Sequence, residues 1–283
     1  MSIKTIGVVG AGAMGSGIAH IAAMAGYDVI LRDIDMAFVE RATKNMDKFM
    51  ARSVEKGKMT EEARQATLAR IKGTTVLEDF AAADFVIEVV VEKMELKKEV
   101  FEALDKICRP EVILATNTSS MSITAIAATT NRPEKVCGMH FFNPAQLMRL
   151  CEVIRGFKTA DETIATATEL ARAFGKTTVE VKKDSPGFIV NRVMIPQFVE
   201  AARLLQEGVA SAEDIDTAVK LGLNYPMGPF ELQDFAGVDI SVLVMEYFAD
   251  EFRNSQYAAP QIMKQMMRAG KLGKKTGEGF YKY

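Results

Sequence analysis

The stretch KTIGVVGAGAMGSGIAHIAAMAGYDVILRDID, close to the start, constrains this chain more than any other. Ile6 to Val9 is a short apolar run rich in β-branched residues, which reads as a buried strand. It opens into Gly10-Ala-Gly12-Ala-Met-Gly15. Apolar residues at helical spacing continue through Ala25, Gly26 ends them, and Tyr27 to Leu31 reads as a second strand closed by Asp33. A glycine-rich turn between a strand and a helix, with an acid at the tip of the next strand, is the context in which such a turn binds a dinucleotide. Gly10 permits the tight turn, Gly12 lets the backbone approach a pyrophosphate, and Gly15 lets helix and strand pack closely. The helix opening at Ala13 and Met14 offers free N–H groups and a partial positive charge to the phosphates. A merely structural glycine-rich turn is the competing reading, and the acid at the right distance weighs against it. Asp33 is suited to a ribose 2′-hydroxyl and would repel a 2′-phosphate, which favours NAD; Arg32 beside it keeps NADP open.

The same segment runs from Ile6 to Tyr27 without a Lys, Arg, Asp or Glu, long enough for a membrane span. Its glycines and His20 argue against one, and it lacks the parts of a signal peptide. At 283 residues, 48% hydrophobic and 25% charged, the chain is normal for a soluble globular protein of one large or two ordinary domains. A net charge of −2 with no basic tract argues against nucleic acid. Three scattered cysteines, Cys108, Cys137 and Cys151, are too few for a disulfide framework or a metal site. The expectation is a cytoplasmic protein with no metal.

Residues 36–72 are charged and helical, turning at Lys56-Gly57-Lys58, and look like a helical pair inserted into the crossover. Arg52, Lys56 and Lys58 cluster at its tip, as solvated surface or as a dock for a phosphorylated substrate handle. Further strands are expected at Asp84–Val91, Val112–Ala115, Val136–Phe141, Cys151–Ile154 and Thr178–Val181, with a helix containing Glu92, Lys93 and Lys97 after the first. The alternation predicts an α/β fold with a doubly wound sheet of Rossmann type over residues 1–185. Ligands sit at the carboxyl ends of such strands, so Glu92, Ser119 and His140 should share one edge. After Ser185-Pro186-Gly187 the alternation stops. Helices are expected over Asn191–Leu205, Glu213–Leu221 and Asp239–Phe252, with a loop-rich Gly222–Gly237 between. Residues 186–283 thus read as an all-α domain whose surplus apolar faces suggest a partner subunit.

Of the two histidines, His20 lies inside the first helix with no carboxylate near it in sequence, and reads as packing or surface. His140, in GMHFFNP, follows a strand. A dehydrogenase needs a base for the hydroxyl proton with a pKa near working pH. A histidine serves best when a carboxylate fixes its tautomer and stabilises the imidazolium. With Asn143-Pro144 as a turn, the chain can bring Glu152 back beside His140. Glu152 sits in the apolar run LCEVI, where an unpaired carboxylate would be costly. Packing for His140 and an ordinary edge-strand role for Glu152 are the alternatives.

The combination of GAGAMGSGIA, Asp33, ATNTSS, GMHFFNP, EVI, SPGFIVNR, MGPFEL and the final GEGFYKY resembles the 3-hydroxyacyl-CoA dehydrogenases, most closely the bacterial members acting on (S)-3-hydroxybutyryl-CoA. The resemblance covers nearly the whole chain, in the family's order. It implies reversible, NAD-dependent oxidation of a short (S)-3-hydroxyacyl-CoA to the 3-ketoacyl-CoA, as in fatty-acid and butyrate metabolism. It implies His140 as the catalytic histidine, Glu152 as its partner, Ser119 at the substrate's 3-oxygen and Asn191 at the acyl group. Glu92 and Lys97 match residues near the nicotinamide ribose and Asn143 one near the nicotinamide, with Asn117 on the same cofactor side. Arg52 and Lys56 match the region that holds CoA phosphates, and the helical C-terminal domain implies a homodimer or larger homo-oligomer. A sister dehydrogenase acting on a longer or dicarboxylic acyl-CoA or a sugar acid is the nearest alternative; a non-enzymatic dinucleotide-binding protein is the other.

Overall fold

A computed structural model describes residues 3–283. The chain divides into two compact units at the Ser185/Pro186 boundary.

The first unit runs β1 (Thr5–Val9), α1 (Ala13–Met24), β2 (Asp28–Arg32), α2 (Met36–Glu55), α3 (Glu61–Ala69), β3 (Ile71–Thr74), β4 (Phe85–Glu88), α4 (Met94–Ile107), β5 (Ile113–Thr116), α5 (Ile123–Ala127), β6 (Val136–Phe141), β7 (Leu150–Arg155), α6 (Asp161–Ala173) and β8 (Thr177–Val181). The strands form one sheet in the order β3-β2-β1-β4-β5-β6-β7-β8. The first six are parallel; β7 runs antiparallel to β6, and β8 is parallel to β7. Strands β4, β5 and β6 are buried throughout, as expected where helices cover both faces. The doubly wound α/β expectation holds. Eight of the twelve α1 residues are buried, which explains why this helix can lack charges. His20 lies in that helix, fully buried edge-on to Phe49, and burial lowers its pKa to about 4, so it packs as a neutral ring.

The structure departs from expectation in three places. The helical pair over 36–72 is the whole crossover rather than an insertion into one: α2 and α3 lead directly into β3, so Ile71 and Lys72 are strand. The short edge sequence IKGT hides this, because Gly73 reads as a turn. A Cβ at Gly73 would lie 2.6 Å from Val39 Cγ1, so close packing under α2 explains that glycine. Strand β4 stops at Glu88, and Glu92 and Lys93 precede α4 instead of lying within it.

In the second unit come α7 (Val190–Gln206), α8 (Ala212–Gly222), α9 (Pro229–Ala236), α10 (Val238–Phe252) and α11 (Gln261–Arg268), around a core that includes Phe198, Ala202, Phe230, Met245 and Phe248. The third departure is α9, in the segment expected to be loop. Pro229 opens the helix rather than breaking it, and Glu231 turns back to accept the Gly228 N–H at 3.1 Å. Two buried carboxylates secure the C-terminal tail: Asp234 accepts the Phe280 and Tyr281 N–H groups, each at 2.9 Å, and Asp216 accepts the Tyr281 hydroxyl at 2.8 Å. No helix among the described residues is long and apolar enough to cross a membrane.

Candidate active site

The site forms along the carboxyl edge of the sheet. At β1 the three glycines have different causes. Gly10 has φ +114°, and a Cβ there would lie 2.5 Å from the Val89 carbonyl oxygen. A Cβ at Gly15 would lie 1.8 Å from the Gly10 carbonyl oxygen. Both are demanded by the protein's own packing. Gly12 is not: its φ of −67° suits any residue, and no atom lies within 4 Å of a Cβ placed there. Gly12 also N-caps α1 with no side-chain cap and no acid in the first turn. A bare backbone beside an uncapped helix start leaves room and N–H donors for a pyrophosphate, with Ala13 and Met14 in the first turn.

Asp33 closes this loop. One carboxylate oxygen accepts the Ala11 N–H and the other the Ile34 N–H, each at 2.7 Å. It thus braces the glycine loop. Arg32 directs its Nε to the Thr75 carbonyl at 3.3 Å.

Past β4 and β5, Glu92 joins two loops. Its Oε1 accepts the Ser119 N–H at 2.9 Å, the Ser119 hydroxyl at 3.3 Å and the Thr118 hydroxyl in a short bond. Burial raises the pKa of this carboxyl, but the Lys97 charge and these donors outweigh it and hold the group below the usual glutamate range. Lys97 is buried, with its Nζ 2.8 Å from Glu88 and 3.2 Å from Glu92. Asn117 uses its side-chain oxygen to accept the Phe141 N–H at 2.9 Å, fixing the β5 exit to the end of β6.

The β6–β7 hairpin pairs His140 directly with Glu152. Cross-strand partners share a face, so the register brings imidazole and carboxylate together: Nδ1 to Oε2 is 2.6 Å, with Glu152 fully buried and His140 nearly so. A carboxylate at Nδ1 favours the tautomer with its proton on that nitrogen. Phe142 packs beside the imidazole, ring centroids 4.4 Å apart. Asn143 is exposed at the turn. Buried Lys176 secures that turn from beneath, donating to the Ala145 carbonyl and, at 2.8 Å, to that of Met148.

Glu92 and Ser119 therefore follow β4 and β5, and His140 lies near the carboxyl end of β6, three adjacent strands. Asn191 lies in the first turn of α7, in the second unit. Arg52 and Lys56 are exposed at the end of α2, and among the described residues neither forms an ion pair. The three cysteines are free and buried; burial pushes Cys108 and Cys137 up to about 11 and about 12, and Cys151 higher still, so none is a ready nucleophile. Among the described residues no group of three His, Cys, Asp or Glu is placed to hold a metal ion. The expectations omitted Glu88, Thr116 and Thr118, which order the β4 and β5 exits. Glu88 carried the same signal as Glu152, a carboxylate inside an apolar strand run.

Residues 5–185 match the NAD binding domain of 3-hydroxyacyl-CoA dehydrogenase and residues 187–283 match its C-terminal domain. The chain is 48% identical to a probable 3-hydroxybutyryl-CoA dehydrogenase of Bacillus subtilis, over 100% of this chain and 98% of the relative. It is 43% identical to the 3-hydroxyadipyl-CoA dehydrogenase of Escherichia coli, over 99% of this chain and 59% of that protein. The crystal structure of (S)-3-hydroxybutyryl-CoA dehydrogenase from Ralstonia eutropha superimposes with a TM-score of 0.97 at 45% identity, covering 100% of this chain and 99% of the other.

Proposed function

The chain belongs to the 3-hydroxyacyl-CoA dehydrogenase family, and on that premise we propose that it interconverts (S)-3-hydroxybutyryl-CoA and acetoacetyl-CoA with NAD. The observation that carries this reading is the 2.6 Å contact between His140 and Glu152 on the sheet edge that also bears the glycine loop.

NAD, when bound, accepts the hydride from the carbon bearing the hydroxyl. Gly12, Ala13 and Met14 would hold its pyrophosphate, and Asp33 would accept its adenosine ribose. Glu92, Asn117 and Asn143, at the exits of β4, β5 and β6, would hold the nicotinamide half. His140 Nε2 removes the hydroxyl proton in oxidation and returns it to the ketone oxygen in reduction. Glu152 keeps the Nδ1–H tautomer and offsets the charge of the imidazolium. The Ser119 hydroxyl hydrogen-bonds the reacting oxygen, exchanging its long 3.3 Å bond to Glu92 for one to the substrate. Asn191 hydrogen-bonds the acyl group, and Arg52 and Lys56 receive the CoA phosphates. Lys97 acts on the cofactor side only through Glu92.

The reading extends to assembly and compartment. Exposed Leu221, Leu223, Phe235 and Leu243 leave the second unit with more apolar surface than a lone helical unit needs, which supports a homodimer or larger homo-oligomer. Three free thiols support a cytoplasmic setting.

Initial rates of acetoacetyl-CoA, 3-oxohexanoyl-CoA and a free 3-oxo acid with NADH and with NADPH test this directly. The expected result is fastest turnover of acetoacetyl-CoA with NADH, by at least about tenfold over NADPH, because the Asp33 carboxylate opposes a 2′-phosphate. A preference for the free acid, or for the longer thioester, would contradict the assignment.

A further inference from the structure

The reading above gives Glu88 no task, yet it is fully buried at the end of β4 and richly bonded. Its Oε1 accepts the Val90 N–H at 2.7 Å and Lys97 Nζ at 2.8 Å, and its Oε2 accepts the Thr116 hydroxyl at 2.6 Å. Lys97, equally buried, stands between Glu88 and Glu92 and lies closer to Glu88, at 2.8 Å against 3.2 Å. Two carboxylates therefore share one ammonium. The cluster carries one net negative charge, and its partly exposed member is Glu92.

Stability is a weak reason to retain such a cluster. Burying ions is costly, and replacing a buried pair by apolar side chains is often neutral or favourable. Lys97 alone would suffice to orient Glu92, as a neutral pair. Adding Glu88 changes the charge: it takes up the ammonium from behind and leaves Glu92 anionic toward the site. The strand order gives that charge a target. Asp33 follows β2 on one side of β1, whereas Glu92 and Ser119 follow β4 and β5, and His140 lies near the end of β6, on the other. A dinucleotide with its pyrophosphate at Gly12 and one ribose at Asp33 extends its nicotinamide half over Glu92. The nicotinamide ring is cationic in NAD+ and neutral in NADH.

We propose that Glu88 is a charge-setting residue: by occupying Lys97 from the interior it leaves a net negative charge at Glu92, which favours the oxidised over the reduced nucleotide. Glu88 touches neither substrate nor cofactor and acts through Lys97. The inference rests on the reading that NAD lies along this edge.

Dissociation constants of NAD+ and NADH, measured by titration of the full chain without acyl substrate, test it. Glu88→Gln removes the net charge, and the ratio of the NAD+ constant to the NADH constant should rise about tenfold, the effect of one unit charge across a partly screened site. Glu88→Gln combined with Lys97→Met restores one net negative charge, and the ratio should return to within about threefold of wild type. A distorted site would leave the double variant at least as impaired as the single one. An unchanged ratio in Glu88→Gln, or a raised ratio that persists in the double variant, overturns the inference. Should Glu88→Gln fail to fold, Glu92→Gln removes the same charge from a partly exposed position; the ratio should rise there too, and an unchanged ratio overturns the inference. Failure of the wild-type chain to bind either nucleotide would instead overturn the reading beneath it.

Discussion

Replacing His140 with alanine should cut acetoacetyl-CoA reduction by at least about two orders of magnitude while NADH binds as before. The substitution removes the only imidazole on this edge; the other histidine, His20, is locked inside α1. Proton transfer by a positioned base is worth roughly 10²–10⁴-fold, so the loss should fall in kcat. NADH affinity should persist, because the glycine loop is held by bonds that do not involve His140: the Gly10 N–H donates to the Arg32 carbonyl and Asp33 accepts the Ala11 N–H. Stopped-flow or steady-state rates, together with NADH titration, check both halves. Near-normal turnover would remove His140 from the chemistry.

Glu152→Gln is the more discriminating substitution, because it keeps the shape and the possibility of a hydrogen bond while removing the charge. The carboxylate lies 2.6 Å from Nδ1 and is fully buried, so it reaches no substrate directly. An amide there offers no negative charge to the imidazolium and can equally donate to Nδ1, which would move the proton to Nε2 and present an acid where a base is needed. The expected result is a kcat lower by about two to four orders of magnitude, with KM for both substrates within about threefold. A loss confined to KM would mean that Glu152 shapes binding rather than proton transfer.

How legible these features were in the sequence follows the range of the interactions that make them. The glycine loop is local: strand, turn, helix and Asp33 lie within one short stretch, so their pattern names their purpose. The His140–Glu152 pair is longer in range yet readable, because two strands joined by a turn must pair in some register and a buried carboxylate needs a partner. Glu88 needs the same reasoning, but its partner Lys97 sits on the following helix and Thr116 on a neighbouring strand. Neither proximity can be read before the sheet order is known. Strand β3 escaped because an edge strand containing Lys72 and Gly73 buries too little to show alternation. Helix α9 escaped because Gly228 and Pro229 look like punctuation when they are in fact its N-cap and first residue. Asn191 illustrates the opposite case, a residue singled out by its motif alone.

The most direct test of the proton-relay claim is the protonation state of His140 itself. With two histidines in the chain, ¹⁵N NMR of histidine-labelled protein gives two imidazoles, and His20, neutral down to about pH 4, serves as the internal reference. The predicted result for neutral His140 is a proton on Nδ1 and none on Nε2, an arrangement lost in Glu152→Gln. A proton on Nε2 in the native protein, indifferent to the Glu152 substitution, would contradict the account.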